Sequence, residues 1–207
     1  MLNSPVDLLS VVLGGALGRS GRKRARRAAR FVSGRGGFLS ASTLVAAAGV
    51  AWGIYDSVKA QSGASGASGA SGASSAAATV PPIPDAGQDP VMRLIRLAVS
   101  AARADGDLSG QERATILARA REAGLEAVIE AELTAVRPLS DIVRGVTDDA
   151  GKKELYILAF TIVRADETVS GAERIYLAQL AHQLGLDAAT VATIEAETAA
   201  KIDAQPE

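Results

Sequence analysis

Two short acidic turns carry the side chains best suited to chemistry. The stretch RADGDLSGQER at residues 103–113 returns as RADETVSGAER at residues 164–174. Carboxylate oxygens are preferred ligands of hard divalent cations such as Ca²⁺ and Mg²⁺. The candidate metal ligands in the two turns are Asp105, Asp107, Asp166 and Glu167.

The first turn matches only half of an EF-hand calcium loop. Counted from Asp105, D-G-D-L-S-G supplies oxygen at positions 1, 3 and 5 and glycine at position 6, but Ile116 occupies position 12, where a bidentate glutamate is required. The second turn has Thr168 in place of the second aspartate. An EF-hand is therefore not predicted, and another arrangement of the acids around a cation stays open.

Helix capping explains other residues of the repeated motif. Ser109 with Glu112, and Ser170 with Glu173, have the spacing of capping boxes, in which the serine side chain and the glutamate side chain each bond a free amide of the first turn. Both boxes predict a helix start.

The two aspartates need a different explanation. Asp105 and Asp166 follow predicted helices, where the helix macrodipole disfavours a carboxylate. A neighbouring arginine, free amides in the turn or a bound cation would each compensate. The sequence leaves all three open.

Other classes of site are excluded or weakly supported. The chain has no cysteine and a single histidine, which excludes thiolate chemistry and His-rich zinc sites. His182 falls away from the apolar face of its predicted helix and is predicted to be solvent-exposed. We find no phosphate-binding glycine loop and no serine elbow, so an enzyme is not predicted.

Charge divides the chain into a basic leader and an acidic remainder. Residues 1–60 carry nine Lys or Arg against two Asp, whereas residues 61–207 are acidic overall. We predict four segments. They are a basic Gly-rich leader (1–35), a single transmembrane helix (36–56), a flexible Ser/Gly/Ala and Pro linker (57–88) and an all-α domain (89–205).

The apolar segment suggests attachment to a membrane. Residues 36–55 contain no charged side chain and, as a helix, would span about 30 Å, the thickness of the hydrocarbon layer. An Ala/Gly-rich amphipathic or buried helix is the alternative. The basic run from Arg19 to Arg35 predicts a cytoplasmic leader that contacts anionic lipid headgroups, rather than nucleic acid. We therefore expect a single-pass protein of the bacterial inner membrane with a periplasmic C-terminal domain.

The domain is predicted to be all-α and compact, with about six or seven helices built on two related helix-turn-helix repeats. The helix that starts near Pro90 has an apolar face and an opposite polar stripe that is predicted to face solvent. The stripe consists of Arg93, Arg96, Ser100 and Arg103. The helix over 152–165 is apolar nearly all round and is predicted to be central.

The doubled motif resembles the tellurite-resistance TerB-like domain family. The matching stretches are Ala104 to Ser109 with Glu112, and Ala165 to Glu167 with Ser170 and Glu173. The order of leader, apolar segment, tether and helical domain is similar to YebE-like inner-membrane proteins. The resemblance implies a compact all-α fold, an inner-membrane location and divalent-metal binding by clustered acids.

Two functions follow from these features. The first is a membrane-anchored TerB-like module that binds a protein partner or a divalent cation through its acidic turns, in an envelope stress response. The alternative is a structural adaptor for protein interactions that binds no metal, in which the repeated motif serves only helix capping.

Overall fold

The computed structural model describes residues 23–33, 38, 90–106, 108–122, 126–165 and 169–205. Within these ranges the chain forms eight α-helices and no strand, so the predicted all-α class is confirmed. The helices are α1 (Lys23–Ser33), α2 (Pro90–Ala102), α3 (Gly110–Glu122), α4 (Glu126–Thr134), α5 (Leu139–Val143), α6 (Asp149–Arg164), α7 (Gly171–Leu184) and α8 (Ala188–Asp203).

Helix α6 is at the centre, as its apolar sequence predicts. It contacts α1, α2, α7 and α8. From Leu155 to Val163 every side chain except the half-buried Ile157 is buried, so this part of the helix is covered on every side. The helix begins at Asp149, before the predicted residue 152, because the side chain of Asp148 accepts a hydrogen bond from the Gly151 amide at 2.6 Å and caps the first turn.

The second repeat starts with the predicted capping box. The Glu173 amide donates to Ser170 Oγ at 3.2 Å, and the Ser170 amide donates to Glu173 Oε2 at 2.6 Å. Helix α7 ends at Gly185, whose φ of 67° is the left-handed conformation that glycine adopts without strain. In the first repeat the side chain of Glu112 lies outside the described residues, and the whole capping box of Ser109 and Glu112 stays a prediction.

The prediction that the polar stripe of α2 faces solvent is wrong for Arg93 and Arg96. These side chains are 8% and 9% exposed, because α2 packs against other helices on its polar side as well as on its apolar side. Arg93 Nη2 donates to the carbonyl oxygen of Arg144 at 3.0 Å, while Arg96 pairs with Glu132. Helical spacing separates a polar face from an apolar face, but it does not show whether water or protein covers the polar one.

A basic helix of the leader packs against the domain. Helix α1 contacts α6 and α8, and its residues Ala25, Ala28 and Val32 belong to the same core as α6. The sequence predicted a basic leader here and no packed helix. The alternating pattern of basic and small residues in KRARRAARFVS forms one charged and one apolar helix face, which explains the packing.

Almost all of the predicted transmembrane helix and the whole linker lie outside the described residues; Phe38 alone of residues 36–88 is described. Among the helices that the structure does describe, none is both long enough and apolar enough to cross a bilayer. The exposed position of His182 agrees with the sequence prediction.

Candidate functional site

An open groove of about 530 Å³ lies between the two repeats. One wall is α2 with the turn that follows it, the second is the end of α4 with α5, and the third is α7. The lining residues are Arg96, Val99, Ser100, Arg103, Ala104, Gly106, Glu132, Ala135, Val136, Arg137, Leu139, Ile142, Ala172, Ile175, Tyr176 and Gln179. The groove therefore combines basic, aromatic and aliphatic side chains.

A buried ion-pair cluster forms part of the groove wall. Arg96 Nε and Nη2 donate to Glu132 Oε1 at 3.2 and 3.1 Å, and Arg137 Nε donates to Glu132 Oε2 at 2.8 Å. Glu132 is 7% exposed and Arg137 is 43% exposed. Burial alone would raise the pKa of the Glu132 carboxyl, but hydrogen bonds from Arg137 and Arg96 outweigh it and lower this pKa. The carboxylate thus stays charged and fixes both guanidinium groups.

The segment between α4 and α5 gives the groove its outer edge. Pro138 has φ of −66° and ψ of 146° and directly precedes α5. The proline disfavours a helical conformation at Arg137, which explains why α4 ends before it. The extended segment leaves Val136 83% exposed at the edge, while Arg137 reaches back to Glu132.

Helix α7 supplies the apolar part of the opposite wall. Ile175 is 62% exposed and, with Val136, is one of the two strongly exposed large aliphatic side chains in the described part of the chain. Tyr176 lies next in sequence. Its hydroxyl is buried without a hydrogen-bond partner among the described residues, and this burial raises its pKa. Ile175 and Tyr176 thus form an apolar ridge beside the three arginines of the groove, Arg96, Arg103 and Arg137, which together are called its basic floor.

Only one of the four predicted metal ligands, Asp105, lies within the described residues. Asp105 is exposed in the turn after α2, where the Gly106 amide donates to the Arg103 carbonyl oxygen at 3.0 Å. The other three candidates, Asp107, Asp166 and Glu167, lie outside the described residues. Within the ranges that are described, no three His, Cys, Asp or Glu residues are grouped so that they could hold a metal ion. Binding of Ca²⁺ or Mg²⁺ by the two turns therefore stays a prediction.

The groove was missed from the sequence because its parts are far apart in the chain. Arg96 and Glu132 are separated by 36 residues, and nothing local marks them as partners. One signal was present. Arg93 and Arg96 on α2, and Arg103 in the turn that follows it, recur at helical spacing, which is also the pattern of a buried or ligand-facing basic stripe.

The model of DUF533, a family described as a protein of unknown function, matches residues 6–198. The chain belongs to the DUF533 family. DUF533 is a TerB-like family, which confirms the broader resemblance carried by the doubled motif. Comparison with curated proteins and with solved structures gives no match.

The match covers the leader, the apolar segment, the linker and most of the helical domain of this DUF533 chain. It assigns no activity to them. A function for this chain therefore has to be inferred from the residues that line the groove and from the acidic turns.

Proposed function

We propose that this DUF533 protein is a membrane-attached, non-enzymatic TerB-like module of the YebE-like kind, whose groove binds an acidic, partly apolar segment of a protein partner. The main support for this proposal is the groove, in which a basic floor adjoins two strongly exposed aliphatic side chains, Val136 and Ile175.

Charge complementarity favours an acidic ligand. The groove lining contains three arginines and one glutamate, so its formal charge is +2. The surrounding chain is acidic, because residues 61–207 hold 13 Lys or Arg against 21 Asp or Glu. A basic concavity on an acidic body attracts anionic groups locally, while the acidic surface around it repels them.

The apolar ridge favours a protein segment over a small anion. Exposed aliphatic side chains at the edge of a groove are typical of sites that receive anchoring side chains of a partner. Ile175 lies on the α7 wall and Val136 on the wall formed by α4 and α5, so a peptide with both acidic and large apolar residues would contact the arginines and these two side chains together.

The ionisable groups of the groove support binding rather than proton transfer. Arginine keeps its proton at physiological pH. The pKa of Glu132 is lowered by its two arginines and that of Tyr176 is raised by burial, so both groups titrate far from neutral pH. General acid–base catalysis works best with a pKa near the operating pH.

A displayed library of random peptides, selected on the purified full-length chain, tests the proposal. We expect the enriched peptides to combine Asp or Glu with large apolar residues. Binding of one synthetic representative should weaken about tenfold or more in Ile175→Asp, because the substitution removes an apolar anchor and adds a repelling charge. Ala178→Asp places the same charge on the exposed side of α7 outside the groove and should leave the affinity unchanged.

Selection of peptides without acidic residues would refute the proposed ligand class. Equal loss of affinity in Ile175→Asp and Ala178→Asp would refute the groove as the binding site.

A further inference from the structure

The leader helix α1 is part of the folded core rather than a separate anchor. Ala28 and Val32 are completely buried and Ala25 is 3% exposed. These residues face α6 and α8, which are elements of the C-terminal domain. A helix held through its apolar face in this way has to occupy the same aqueous compartment as the domain that covers it.

The beginning of the uncharged segment also stays close to the core. The rings of Phe31 and Phe38 stack with centroids 6.1 Å apart and an angle of 26° between their planes. Phe38 is the third residue of the uncharged stretch 36–55 and packs against the hydrophobic core. Residue 38 of that stretch therefore lies beside the domain.

The exposed face of α1 is basic. Lys23, Arg26 and Arg30 are exposed and recur at spacings of three and four residues, which places them on one side of the helix, away from Ala28. Such a face suits contact with an anionic lipid surface on the side where the domain lies.

A single crossing by residues 36–55 is incompatible with this packing. It would put α1 and the domain on opposite sides of a hydrocarbon layer about 30 Å thick, where they could not touch. We propose that the leader and the helical domain lie on the same side of the membrane. Retention of basic segments in the cytoplasm makes that side the cytoplasmic one.

The proposal is independent of the groove, and the absence of native cysteine makes it directly testable. Ser20→Cys reports on the leader and Ser140→Cys, at an exposed position of α5, reports on the domain. Each full-length variant is treated with a membrane-impermeant maleimide in bacterial spheroplasts and in inverted membrane vesicles, with detergent-solubilised samples as the control for reactivity.

We expect both cysteines to be labelled in inverted vesicles and neither in spheroplasts. Labelling of Ser140→Cys in spheroplasts and of Ser20→Cys in inverted vesicles would overturn the proposal and establish a single crossing with the domain outside. Labelling of both cysteines in spheroplasts would support a shared side for the leader and the domain, but it would overturn the assignment of that side to the cytoplasm.

A second measurement tests the packing itself. Ala28→Glu places a charge in the completely buried contact and should lower the melting temperature of the purified full-length chain, whereas Arg26→Glu introduces the same residue on the exposed face of α1 and should not. Equal melting temperatures for the Ala28→Glu variant and the parent chain would show that α1 does not pack, and the proposal would fail.

Discussion

Removing the Glu132 carboxylate should cost much of the stability of the helical domain. In Glu132→Leu, Arg96 loses both hydrogen bonds to Oε1 while it remains 9% exposed. Breaking a buried ion pair by removing one partner costs about 3–5 kcal/mol. Arg137 is 43% exposed and can turn to water, so its share of the loss is small and the lower end of that range applies.

This loss converts into a measurable shift in melting temperature. For a domain of about 110 residues, an unfolding entropy near 2.1 cal/mol/K per residue makes 1 kcal/mol worth about 4 °C. Circular dichroism of the full-length chain in mild detergent should therefore show Glu132→Leu melting about 12 °C below the parent. The double variant Arg96→Met with Glu132→Leu also removes the positive charge that Glu132 had balanced and should recover most of the difference.

The same cluster sets the sign of a pH effect. The pKa of Glu132 is lower in the folded chain than in the unfolded chain, so its contribution is complete above the unfolded value and is lost as the pH falls through the folded one. The parent should lose stability on acidification more steeply than Glu132→Gln does. A shift below 2 °C in Glu132→Leu, or a double variant no more stable than the single one, would refute the ion-pair argument.

Three further results are expected. Ser170→Ala should lower the stability by about 1 kcal/mol in thermal melts, because it removes the side-chain acceptor of a capping box confirmed in the structure. Tyr156→Phe should cost about 1 kcal/mol by denaturant unfolding, since its hydroxyl donates to Glu195 Oε1 at 2.6 Å and ties α6 to α8; an unchanged midpoint would contradict this. Calorimetry with Ca²⁺ or Mg²⁺ should give binding heat that is lost in the Asp105→Asn, Asp166→Asn double variant, and no heat with the parent chain would exclude the metal site.

Local patterns predicted the elements well. The apolar periodicity of α6 and the Ser170 box depend on residues within a few turns of each other, and both are confirmed. The burial of Arg96 and the packing of α1 were not predicted. Both depend on contacts with distant parts of the chain, and a basic residue opposite an apolar face reads as solvent-exposed until its partner, such as Glu132, is located.

The internal repeat separates residues that build the fold from residues that build the groove. At an offset of 61 residues, the capping serines and the acidic turns recur, so they belong to what the two copies share. The groove does not recur, because Arg96 corresponds to Ile157 and Ile175 corresponds to Ala114. Helices α2 and α6 are the equivalent helices of the two copies. Helix α6 is covered by α1 and α8, whereas α2 stays open to solvent at the groove. Within the described residues this asymmetry supports binding at the groove, while Ser170 serves as a helix cap and Ser109 is predicted to do the same.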